Sequence, residues 1–78
     1  MTQQTDAPQG THHFVITIQK PLLGGGGFAI ADMHGFITLP PAWSRHDAFE
    51  AIREEHARRN PDTEGGSVLF FSLELNQL

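Results

Sequence analysis

Between His13 and Gln19 apolar and polar side chains alternate, with Phe14, Ile16 and Ile18 in one parity and His13, Val15, Thr17 and Gln19 in the other. A period of two sends successive side chains to opposite faces of an extended chain, so this segment predicts a β-strand with a bulky apolar face. Lys20 to Gly27 follows, where a Pro and four consecutive glycines suit a connecting loop. From Phe28 to Leu39 the chain is again extended in character, but both parities are partly apolar. One holds Ala29, Ala31, Met33, Ile37 and Leu39, the other Phe28, Ile30, Asp32, His34, Phe36 and Thr38. The pattern predicts one long strand, with a possible bulge at Gly35, and leaves its inner face open. Its alternative is a type I turn at Asp32-Met33-His34-Gly35 that makes a second hairpin and a fourth strand.

Pro40 and Pro41 cannot donate ladder hydrogen bonds, so the sheet is expected to end there. Ser44 then reads as a helix N-cap, with Asp47 three residues on as an acidic version of the capping box. Phe49, Ile52 and His56, flanked by Ala48, fall on one narrow stripe of a helix. Arg58 and Arg59 suit its last turn, and Asn60-Pro61 stops it. Ser67 to Leu75 alternates once more. Leu69, Phe71, Leu73 and Leu75 are expected on the core face, with Val68, Phe70, Ser72 and Glu74 opposite.

This order predicts an α+β domain of β-β-α-β layout, a three-stranded antiparallel sheet in the order 2-1-3 with one helix on one face. A hairpin, helix and strand also open a β-grasp domain, so a truncated layout resembling a β-grasp is the alternative at the level of fold alone. Residues 1–11 lack bulky apolar groups and are expected to be a disordered tail, with a single domain over residues 12–78.

Composition narrows the function classes. At 78 residues only one small core can form, and such scaffolds commonly draw stability from disulfides, metals or association. The chain has no Cys, which removes the first and fits a reducing compartment. No basic-then-apolar leader opens it, so the expected location is cytoplasmic without membrane attachment. Nine acids against five bases give a net charge of −4, which opposes nucleic-acid binding. The helix cations Arg45, Arg53, Arg58 and Arg59 are spread around the cylinder and interleaved with Glu50, Glu54 and Glu55. Glu54 with Arg58 and Glu55 with Arg59 have the spacing of a solvated face.

Candidate chemistry is sparse. His12 and His13 are adjacent and would point apart on a strand, while His46 and His56 would lie about 80° apart around a helix. No metal, cofactor or catalytic residue is therefore assigned. The glycine run Gly24 to Gly27 leads to another strand rather than into a helix, which is the wrong context for a phosphate loop. His56 has two readings: a boundary residue whose ring packs on the sheet and bonds a carbonyl or water, or part of a pH-sensitive interface. Trp43 either staples the helix start to the sheet edge or anchors a protein partner.

One helix can cover only one sheet face. The other would expose Val15, Val68, Phe70 and Ile30 or Phe36, and a contiguous apolar patch on a small chain usually marks an interface. The sequence therefore points to a noncatalytic protein-binding or assembly module acting as a homo-oligomer. Its interface candidates are Trp43, Val15, Val68, Phe70, Phe36 and His56. The alternative is a small-molecule-binding or catalytic oligomer using His56, His34 or Asp32 at a subunit interface.

Overall fold

The computed structural model describes residues 10–77; the expected tail lies outside the described residues except for its last two. Strand β1 (His12–Pro21), strand β2 (Phe28–Ile37), helix α1 (Arg45–Arg59) and strand β3 (Ser67–Leu75) follow in that order. The sheet is three-stranded and antiparallel, ordered β2-β1-β3, as the β-β-α-β pattern predicts. Strand β2 is unbroken from Phe28 to Ile37, so Asp32 to Gly35 makes no second hairpin.

The glycine run turns the chain between β1 and β2. A single 3₁₀ turn at Leu23–Gly25 brings Leu22 N–H to within 2.8 Å of Gly27 O. Gly24, Gly25 and Gly27 all have positive φ, which side-chain-bearing residues adopt with strain, so the run is there for its backbone geometry. Thr11, within the expected tail, is instead tied to the sheet end. Its N–H donates to Ile37 O, its carbonyl accepts from Asn76 N–H, and its hydroxyl accepts from Leu39 N–H.

The core lies between the sheet and α1. Phe14, Ile16 and Ile18 supply the central strand's contribution, Met33 that of β2, Leu73 that of β3, and Ala48 and Ile52 that of the helix. The register puts Ile16 beside Met33 and Phe71, and Phe14 beside Gly35 and Leu73, which settles the helix-side parity of β2 as Ala29, Ala31, Met33, Gly35 and Ile37. Phe71 extends the core through an edge-to-face contact with Phe49, ring centres 4.9 Å apart.

Three assignments on β3 are corrected. The β1–β3 register shifts between Thr17 and Ile18, with Thr17 opposite Phe70 but Ile18 opposite Val68. The extra residue, Leu69, forms a bulge that reverses parity for everything before it. Val68, expected on the open face, instead packs against the core, and Leu69, expected inside, is more than half exposed. Leu75, also expected inside, is exposed at the strand's end.

Helix α1 begins at the capping box read from the sequence. Asp47 N–H donates to Ser44 Oγ (3.1 Å), and Ser44 N–H donates to the Asp47 carboxylate (2.9 Å). Its end is closed by Asn60 N–H on His56 O, followed by a 3₁₀ turn at Pro61–Thr63. Glu55 receives both Arg58 and Arg59, whereas Glu50 lies near Arg53 and His46. None of the described helices is long and apolar enough to cross a membrane.

Candidate functional site: the open face of the sheet

The face opposite α1 is built by the second parity of each strand. Strand β1 contributes His13, Val15, Thr17 and Gln19, and strand β2 Phe28, Ile30, Asp32, His34 and Phe36; across β1 from these lie Phe70, Ser72 and Glu74 of β3. Phe28, Ile30, Phe36, Leu69 and Phe70 are each 54–60% exposed, although α1 and the core bury most of the other large apolar residues. Val15, half-buried, lies between His34 and Ser72 in the register. The face is thus apolar toward both outer strands, with a polar centre where Thr17 donates to Asp32 Oδ1 at 2.9 Å.

Of the sequence-derived interface candidates, Val15, Phe36 and Phe70 share this face. Val68 does not, for the reason given by the bulge. His56 does not either. It is completely buried beneath α1, with Nε2 3.0 Å from Ala31 O. A carbonyl can only accept, so Nε2 donates to it, while Nδ1 is buried and has no hydrogen-bond partner among the described residues. This matches the packing reading of His56 on the sheet and removes it from any surface contact of the folded chain. Trp43 is separate again. Held in a turn by its N–H on Pro40 O (3.0 Å), it lines a shallow groove with Leu39, Leu73 and Leu75 at the end of β3 and keeps 42% exposure.

The alternative constellation of His56, His34 and Asp32 is not assembled. Asp32 and His34 point to the open face, His56 to the core, and the sheet stands between them. A cavity of about 470 Å³ at the helix C-terminal half is lined by Glu50, Arg53, Glu54, Thr63 and Glu64 together with the buried His56, and mixes charges of both signs. Among the described residues no cluster of His, Asp and Glu has the arrangement of a metal site. Comparison with protein-family models, curated proteins and solved structures gives no match.

The sequence missed the contribution of Leu69 to the exposed set. A bulge is not visible in alternation, because SVLFFSLEL alternates acceptably in either register. It did contain one signal in hindsight, the Gly65-Gly66 pair before β3. A Cβ on Gly66 would collide with the backbone oxygen of Gln19, so the chain enters β3 closer to β1 than side chains permit.

Proposed function

We propose that the chain is a noncatalytic assembly module that works as a homo-oligomer and uses the open sheet face and its margins for protein contact. The observation that carries this reading is the exposure of Phe28, Ile30, Phe36, Leu69 and Phe70 on the side of the sheet that α1 leaves uncovered. Leaving such side chains in water forgoes about 25 cal/mol for each Å² of apolar surface that association would bury. Scattered exposed hydrophobes are ordinary, but five large ones on one sheet face, set around the polar Thr17–Asp32 centre, suit an interface with an apolar margin. A core of only seven buried apolar residues among the described residues also gives a small chain reason to gain stability from association.

Size-exclusion chromatography with light scattering tests the reading. A mass above 8.6 kDa at tens of micromolar is expected, falling toward the monomer in Ile30→Asp and Phe36→Asp. A wild-type chain that stays at 8.6 kDa overturns it.

A further inference from the structure

The two edges of the sheet are not equivalent. The Leu22–Gly27 hydrogen bond closes the hairpin in the β1–β2 register, and antiparallel pairs alternate between hydrogen-bonded and non-bonded. It follows that Ile18–Ala31, Ile16–Met33 and Phe14–Gly35 exchange backbone hydrogen bonds, while Ile30, Asp32, His34 and Phe36 turn their N–H and C=O groups away from β1. Among the described residues, no hydrogen bond outside the regular elements ends on the backbone of these four residues. Strand β2 has no Pro, Lys or bulge along this row, which are the usual devices that blunt an edge. Strand β3 has such protection. The bulge at Leu69 interrupts it, and Arg45 Nη1 lies 3.3 Å from Leu73 O. By the same alternation, set by Asn76 N–H on Thr11 O, that carbonyl faces the outer edge.

We infer that the β2 edge is the subunit contact, pairing antiparallel with β2 of a second copy in a register centred on Met33, so that two sheets continue as one. This rests on the homo-oligomer reading above and specifies its geometry. The occupant follows from the sequence of the edge itself. In that register Asp32 lies opposite His34 of the second copy and Ile30 opposite Phe36, and two-fold symmetry makes each pair twice. Other registers with the same outward groups are poorer. Centring on Asp32 or His34 opposes that residue to itself, and centring on Ala31 sets Ile30 against Asp32. The Met33 register also places Gly35 opposite Ala31, where the end of α1 and the Pro61–Thr63 turn come down beside β2, and Gly35 brings no side chain to that crowded position. Strand addition provides main-chain hydrogen bonds, and the alternate side chains set the register.

The absence of Cys permits a direct test. Hydrogen-bonded antiparallel neighbours have Cα atoms about 5.5 Å apart, within the span of a disulfide. Mixing Ile30→Cys with Phe36→Cys under mild oxidation should give a heterodisulfide exceeding either homodisulfide by roughly tenfold, since like positions lie about 20 Å apart in this register. Independently, Asp32→Lys should raise the dimer dissociation constant roughly tenfold, and adding His34→Glu should restore it, with circular dichroism showing that both variants fold. A dimer that forms no preferential heterodisulfide, or that Phe70→Asp dissociates as strongly as Phe36→Asp, overturns the β2 contact while leaving the assembly reading intact. A monomer at all concentrations overturns both.

Discussion

His56 Nε2 and Ala31 O, 3.0 Å apart, join the last turn of α1 to the middle of β2, and the imidazole making that bond is wholly buried. A ring in this position fills core volume and orients the helix on the sheet. Replacing it with Ala removes both, so His56→Ala should lower unfolding stability by about 2–4 kcal/mol. His56→Leu, which keeps most of the volume, should lower it by less. Urea denaturation of the two variants measures the difference, and equal losses would mean that packing is not what the ring contributes.

Phe70 and Phe71 are neighbours with opposite fates. Phe71 meets Phe49 edge-to-face, with Arg45 5.8 Å from its ring centre, whereas Phe70 is 55% exposed on the open face. Phe71→Ala should cost about 3 kcal/mol, and Phe70→Ala under ~1 kcal/mol when unfolding is followed at concentrations too low for association. Comparable losses would place Phe70 in the core.

The capping box at the start of α1 should be measurable by itself. Ser44→Ala removes the acceptor for Asp47 N–H and should cost about 1 kcal/mol, while Ser44→Gly should cost only a few tenths of that amount. Thermal unfolding of both variants, with helicity followed by far-ultraviolet circular dichroism, checks the order.

Two glycines should respond in opposite ways. Gly66→Ala drives a Cβ into the backbone of Gln19 and should destabilise by more than about 2 kcal/mol. Gly26 has a negative φ and open space around its added Cβ, so Gly26→Ala should leave stability unchanged or raise it by less than about 1 kcal/mol. Chemical denaturation of the pair tests whether the close approach at Gly66, rather than glycine content, fixes the entry to β3.

Local chemistry made much of the architecture legible in the sequence. The alternation of Phe14, Ile16 and Ile18 defines β1 and its inner face, Ser44 and Asp47 define the helix start, and Asn60-Pro61 defines its stop. Each acts through neighbours within a few residues, so each can be read along the chain. The glycine loop belongs to the same group, because positive φ at Gly24, Gly25 and Gly27 is a property of the backbone there.

Tertiary structure decided what depends on partners far along the chain. Both parities of β2 are partly apolar, and only pairing with β1 puts Met33 inside and Phe36 outside. The bulge at Leu69 is a relation between β3 and β1, two segments roughly fifty residues apart, and it exchanged Val68 for Leu69 on the exposed face. His56 could be placed on the helix stripe from sequence, but its acceptor, Ala31 O, is 25 residues away and exists only once α1 has crossed the sheet. Short-range sterics and capping therefore determined the elements, while register and crossing decided which of their side chains reach water.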